Sequence, residues 1–200
     1  MNLFTAIEQR RAVKHYDPEG SVSEAAFNQI MDAVLLSPTS YNIQHWRFIR
    51  VTDPEIREQI QAAAWGQAQV TEAAELIILC ADTQAWRRDP QRYWANTPAE
   101  TQAVMLPMLE AFYAGKDQLQ RDEAMRSCGI AAQTLMLSAK ALGYDTCPMI
   151  GFDSEQLAEI IHLPEGHLIG MMITLGPAAR AANPRAGQLP LDELLRENRF

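Results

Sequence analysis

Between Arg126 and Lys140 the chain carries no charged side chain; the stretch is rich in Ala, Ser, Cys, Leu and Met. A helix that is apolar on all sides is buried. Any fold for this sequence must therefore place a long helix in its interior. That helix is predicted over residues 122–142, after another over 102–120, and Gly143 is well suited to stop it. Ser127, Gly129, Ala131 and Ala132 would permit close packing on a further helix, in the same chain or in a partner subunit. Glu75–Ala81 and Leu168–Gly176 are continuous apolar runs and read as buried strands. Trp46–Val51 is β-branched and aromatic, and a short extended piece is expected from Asp145 to Phe152. A helix is expected after Ser23, an N-cap residue, because Phe27, Ile30, Met31, Val34 and Leu35 recur at helical spacing. Two more are expected over 54–64, with Pro54 in the first turn, and over 154–161. Helices outnumber strands and do not alternate with them regularly, which excludes a Rossmann or barrel order. The expectation is one α+β domain over residues 1–200 with a small central sheet.

Composition narrows the function. The formal charge is 17 − 25 = −8. An acidic surface argues against non-specific nucleic-acid binding, which needs cations to displace counterions, and equally against anionic membranes. No apolar stretch approaches the ~20 residues of a membrane span, and no signal-peptide apolar region opens the sequence. Cys80, Cys128 and Cys147 are odd in number and widely spaced, as expected of free thiols in a reducing cytoplasm. Cys80 and Cys128 sit in apolar surroundings and read as inert core thiols. No C-x-x-C or H-E-x-x-H pattern supports a metal site, the glycines never form G-x-G, and neither a Walker A nor a G-x-S-x-G sequence occurs. The histidines His15, His45, His162 and His167 read as structural or exposed rather than catalytic.

Against that acidic background, Arg10, Arg11 and Lys14 set three cations within five residues, just after the amphipathic stretch of Leu3, Phe4 and Ile7. Cations in the last turn of a helix are favoured by its dipole and need do nothing more. The same cluster would hold a dianionic phosphate, because arginine offers forked donors and lysine a compact charge. A second polar segment, Ser37-Pro38-Thr39-Ser40-Tyr41-Asn42-Ile43-Gln44-His45-Trp46, links a helix to a strand. Pro38 cannot continue the helix. Asn42 and Gln44 each carry a donor and an acceptor, fit either for a turn or for the polar edge of a planar heterocycle.

These two segments, with Cys147-Pro148-Met149-Ile150-Gly151-Phe152 in the same order and spacing, resemble the FMN-dependent nitroreductase family over nearly the whole chain. The resemblance implies a mostly antiparallel sheet surrounded by helices, an intertwined homodimer with two interfacial sites, bound FMN, and NAD(P)H as a transient reductant of small nitroaromatic, quinone or related acceptors; the alternatives are a flavin-dependent oxidase or dehalogenase of the wider superfamily and a flavin-binding dimer without turnover. It implies that Arg10, Arg11 and Lys14, with Ala12 between them, hold the FMN phosphate, although many relatives have serine where Ala12 stands. Pro38, Thr39 and Ser40 resemble the piece that covers the flavin from the neighbouring subunit, and Asn42 the residue on its ribityl or ring edge. Gln67 and Gln69 both fit the place near the pyrimidine end, with Gln69 preferred. Met149, Ile150 and Gly151 resemble the segment that aims a backbone N–H at the reactive nitrogen N5; some relatives have glutamate at the Ile150 position. A tail cation closes the phosphate site in relatives, and the resemblance assigns Arg185 to that place, with Arg180 and Gln188 as alternatives. No side-chain acid or base is implied, since the flavin carries the chemistry. Residues 83–101, with Trp86, Arg92, Tyr93 and Trp94, show no period, and the region 83–120 is expected to shape the acceptor pocket.

Overall fold

The computed structural model describes all residues from Met1 to Phe200. Its centre is a four-stranded, wholly antiparallel sheet: β1 (Trp46–Val51), β2 (Glu75–Asp82), β3 (Asp145–Met149) and β4 (His167–Gly176), in the order β1-β2-β4-β3. β2 is buried along its entire length, as its continuous apolar run requires. Alternate residues serve two layers. Ile77, Leu79, Ala81, Ile173 and Leu175 face a cluster with Ile30, Val34, Ala132 and Leu135, from α2 (Glu24–Leu35) and α6 (Asp117–Ala141). Leu76, Ile78, Cys80 and Met172 face the other way, to Ile60 of α3 (Pro54–Ala63), Val70 of α4 (Gln69–Glu72) and Leu157 of α7 (Ser154–Ile160). The remaining helices are α1 (Leu3–Gln9), α5 (Ala99–Tyr113) and α8 (Leu191–Leu194).

Ser23 caps α2 as expected, its hydroxyl accepting from Ala26 N–H, and Asp53 caps α3 ahead of Pro54. Two boundaries need correction. The break between α5 and α6 falls at Ala114–Lys116 rather than near residue 121, because Gly115 turns the chain at φ +69°. The stretch 83–101 holds two short 3₁₀ turns, Ala85–Arg87 and Pro90–Trp94, before α5 begins at Ala99. Gly143 does end α6, at φ +91°.

α6 is only partly enclosed within one chain. Ala124, Cys128, Ala131, Leu135 and Ala139 face the sheet, whereas Gly129, Ile130 and Gln133 lie on an open face. Ser127, Ala131 and Ala132 are thus spent on packing inside the chain, and of the four small residues Gly129 alone is exposed. On α1 the amphipathic face also points outward: Leu3, Phe4 and Ile7 are exposed and Ala6 is buried.

Tyr16 fastens the N-terminal segment to this sheet. Its buried hydroxyl lies 2.9 Å from Thr174 Oγ1 and donates to Thr174 O at 3.2 Å. Tyr16→Phe leaves the Thr174 hydroxyl without its partner and is expected to cost about 1–2 kcal/mol, measured as a lowered urea midpoint at unchanged slope. An unchanged midpoint would show that the hydroxyl contributes nothing.

Candidate flavin site

The basic run lies beyond a helix, not in its last turn. α1 stops at Gln9 with Arg10 as its C-cap, and the chain then extends. Val13 N–H donates to Thr146 O at 3.0 Å, so Ala12 pairs with Thr146 in a short parallel bridge alongside β3. Val13 is buried on one side of this bridge, which leaves Lys14 in solvent on the other. The cap role falls instead to Arg185, whose guanidinium donates to Ile7 O, Glu8 O and Arg10 O, at 2.8 Å for Glu8. Arg11 donates to Asn183 O. These contacts draw the tail across the basic run and form a groove of about 460 Å³ lined by Arg10, Arg11, Ala12, Lys14, Pro148, Arg185 and Gln188, among others. Arg180 does not line it. Neither Arg10 nor Lys14 uses its side chain in any protein hydrogen bond or ion pair, so both charges are available to a ligand.

Pro148, on β3, lines the groove, and Met149, Ile150 and Gly151 follow it in the chain. The N–H groups of Ile150 and Gly151 donate to no protein acceptor, in contrast to the next two, Phe152 N–H to Ile150 O and Asp153 N–H to Ala63 O. Backbone donors at a surface that no protein acceptor uses are open to water or to a ligand. Ile150 itself is 78 % exposed. Gln67 Nε2 donates to Gly151 O at 2.7 Å and Gln69 Nε2 to Gln67 Oε1 at 3.0 Å, so the two glutamines form a relay. Gln67 touches the glycine directly, and Gln69 is buried behind it. Trp65, exposed and at φ +56°, sets its ring against Gly151. Nothing in the sequence marks Trp65 beyond the following Gly66.

The segment Pro38–Asn42 is anchored elsewhere. Ser40 N–H donates to Glu123 Oε1 at 3.4 Å, Thr39 Oγ1 accepts from Gln44 N–H at 3.0 Å, and Asn42 Nδ2 donates to Tyr93 O at 2.8 Å. Tyr41, Asn42 and Gln44 all have positive φ, a costly backbone held by these contacts. Glu123 also accepts from Ser127 Oγ at 3.3 Å, and that hydroxyl lies 3.2 Å from His45 Nδ1. No hydrogen bond joins this loop to the basic run or to Ile150–Gly151. Within one chain the candidate residues therefore form two groups: the basic run with Gln69, Met149–Gly151 and Arg185, and the loop Pro38–Asn42. A further cavity of about 520 Å³ opens between Trp86, Arg87 and Pro90 and Leu106, Pro107 and Glu110 of α5, inside the region expected to shape the acceptor pocket.

The thiols are buried and raised by desolvation, Cys80 to about 11 and Cys128 to about 12, and burial also pushes Cys147 up. No group of histidine, cysteine and carboxylate side chains is arranged to hold a metal ion. The folded protein is expected to resist iodoacetamide at pH 8 over hours and to take up three equivalents once unfolded. Rapid labelling of the native protein would refute the burial of these thiols.

The chain belongs to the nitroreductase family, whose family model matches residues 7–177. It is 46 % identical over 201 residues to protein DrgA of Synechocystis, covering 98 % of this chain and 95 % of that one. It is 31 % identical over 203 residues to an NADH dehydrogenase of Thermus thermophilus, covering 98 % and 95 %. Among solved structures, a candidate nitroreductase of Exiguobacterium sibiricum in complex with FMN superposes with a TM-score of 0.89 at 25 % identity, over 98 % of this chain and 97 % of that one.

Proposed function

We propose that the protein is an FMN-dependent oxidoreductase that uses NAD(P)H to reduce flat, electron-poor acceptors such as nitroaromatics and quinones. The observation that carries this is a juxtaposition: a groove lined by Arg10, Arg11, Lys14 and Arg185 also takes in Pro148, and the N–H groups of Ile150 and Gly151, which no protein acceptor uses, follow within three residues of it. The donor set fits FMN. The cations suit its phosphate, and the two amides suit an acceptor nitrogen at a ring edge. Bound there, the flavin would supply the hydride chemistry, taking hydride from NAD(P)H and giving it to the acceptor in alternate turns at one face.

The chain's own part is to bind, orient and shield. Arg10, Arg11 and Lys14 fix the phosphate end, Arg185 orders the tail over it, and Ala12 contributes backbone alone. Met149–Gly151 set the ring edge, with Gln67 and Gln69 holding Gly151 in place. Pro38, Thr39, Ser40 and Asn42 close the site from a second copy, because within one chain they form a group of their own. The homodimer is supported by the open face of α6, the outward Leu3, Phe4 and Ile7, and a tail exposing Leu189, Leu191, Leu194 and Leu195. An apolar surface of this extent calls for a covering partner. The cavity against α5 is the proposed start of the acceptor pocket. No helix is long and apolar enough to cross a membrane.

Steady-state turnover tests the reading. NAD(P)H oxidation should be fast with a quinone or a nitroarene and slow with oxygen alone, and parallel reciprocal plots should result. Turnover that oxygen alone saturates would overturn it in favour of an oxidase.

A further inference from the structure

Beyond the flavin groove a second concentration of positive charge stands on this acidic chain, and one member of it, Arg87, also lines the acceptor cavity. Arg47 on β1 and Arg87, Arg88 and Arg92 in the turns after β2 lie close together in the fold. Asp82, wholly buried at the end of β2, takes Arg47 Nη2 at 3.1 Å and Arg88 Nη1 at 3.4 Å, with His167 Nε2 at 3.6 Å. One carboxylate thus answers two guanidiniums. Arg92 has no carboxylate partner within 4.0 Å. Its guanidinium lies 5.0 Å from the Tyr93 ring centroid and donates to the Tyr93 hydroxyl at 2.9 Å.

Between these cations opens a groove of about 380 Å³ lined by Gln44, Arg47, Arg92 and Tyr93. No carboxylate lines it. The Tyr93 hydroxyl donates to Ala85 O at 2.9 Å and so has no proton for a ligand, and Arg47 Nη1 donates to Gln44 O and Trp46 O at 2.9 and 2.7 Å. The free donors are those of Arg92, with the remaining N–H groups of Arg47 and the Gln44 amide, and a guanidinium meets phosphate in a fork. The volume suits a phosphorylated sugar rather than a whole dinucleotide. Its position is equally specific. Asn42 Nδ2 donates to Tyr93 O, and Gln44 Nε2 donates to Asn42 O at 3.2 Å, so the groove is built on the loop proposed to cover the flavin. Both sides are held in uncommon backbone: Tyr41, Asn42 and Gln44 on one, and Asp89, at φ +49°, opening the turn that presents Arg92 on the other. Such outliers mark places where the surroundings fix a geometry.

We infer that this groove is an anion site for a phosphate group of the nicotinamide nucleotide, with Arg92 as its principal ligand and Arg47 as its second. The inference rests on the oxidoreductase reading. It places the charged end of the reductant beside the loop proposed to cover the flavin. Two sources of phosphate share this chemistry, the 2′-phosphate of NADPH and the pyrophosphate common to both nucleotides.

Calorimetric titration of the flavin-loaded protein with adenosine 2′,5′-bisphosphate and with ADP separates them, in wild type, Arg92→Gln and Arg92→Lys. Arg92→Gln is expected to weaken binding roughly 10- to 100-fold, as loss of one charge-assisted contact does, with partial recovery in Arg92→Lys. Loss confined to the bisphosphate assigns the 2′-phosphate, and equal loss for both probes assigns the pyrophosphate. The KM for the corresponding nucleotide should rise in parallel while kcat and bound flavin hold. Binding of neither probe by wild type, or equal binding by Arg92→Gln, overturns the inference. So does an effect on KM confined to a carboxylated acceptor such as nitrobenzoate, with a neutral nitroarene unaffected. A wild-type protein that cannot be loaded with flavin contradicts the underlying reading instead, and is told apart by its absorption spectrum.

Discussion

Arg10→Ala combined with Lys14→Ala is expected to release the flavin and leave the fold intact. Each side chain would give a charge-assisted contact to phosphate, and such contacts contribute about 1.5–3 kcal/mol apiece. Losing both predicts FMN affinity weakened roughly 10²- to 10⁴-fold. The fold should tolerate the change, because neither side chain bonds to any protein atom, and surface substitutions of that kind stay within about 0.5 kcal/mol. Ala12 pairs with Thr146 through backbone that alanine at 10 and 14 does not touch. Titration of apoprotein with FMN, read by flavin fluorescence, gives the affinity, and urea unfolding of the apoprotein gives the stability. A double variant that retains stoichiometric flavin after dialysis would remove the phosphate assignment. One that unfolds would show the run to be structural.

Acid should destabilise the protein through His45. The imidazole is wholly buried, and burial holds it down at about 4, against the opposing pull of Glu123 and Asp82 and with a small push from Arg47. Its Nε2 meets no partner, and the ring of Tyr113, whose hydroxyl is likewise unpaired, lies 6.4 Å away between centroids. Protonation would bury a charge there without an acceptor. In the unfolded chain the same group titrates near 6.5. As pH falls below that value the unfolded state takes up a proton that the folded state refuses, so stability is lost from about 6.5 down to about 4. The loss from this one group between pH 7 and 4.5 is roughly 2–3 kcal/mol. His45→Gln removes the titration, so its stability should change less over that interval by the same amount. Paired urea titrations at the two pH values measure the difference. Identical pH slopes in wild type and variant would mean that His45 takes up its proton in the folded state.

The parts of this molecule visible in its sequence are those set by local pattern. β2 is legible because a strand buried on both faces must be continuously apolar, β4 because it shares that run although only its second half is fully buried, and α2 and α3 because their caps and spacing agree. The α5–α6 boundary is hard to place because Gly115 stops a helix by its backbone angle, whereas no break in apolar spacing accompanies it. The helical end expected for the basic run gives way to an extended pairing of Ala12 with Thr146, a contact across most of the chain that no local signal announces. For the site, residue types and order mark the cations and the two loops. They do not show that Arg185 caps α1, that Gln67 stands in front of Gln69, or that Glu123 and His45 brace the loop after Pro38. Each of those depends on which side chains the sheet brings together. The outward faces of α1 and α6 are the converse case: their sequences specify burial that one chain does not provide.

The most direct test of flavin-dependent reduction by NAD(P)H is the visible absorption spectrum of the purified protein, in air and then anaerobically with NADH and with NADPH. The expected result is a flavin spectrum that at least one nucleotide bleaches and that a quinone restores. A colourless protein that added FMN cannot reconstitute, or a flavin that neither nucleotide reduces, would contradict it.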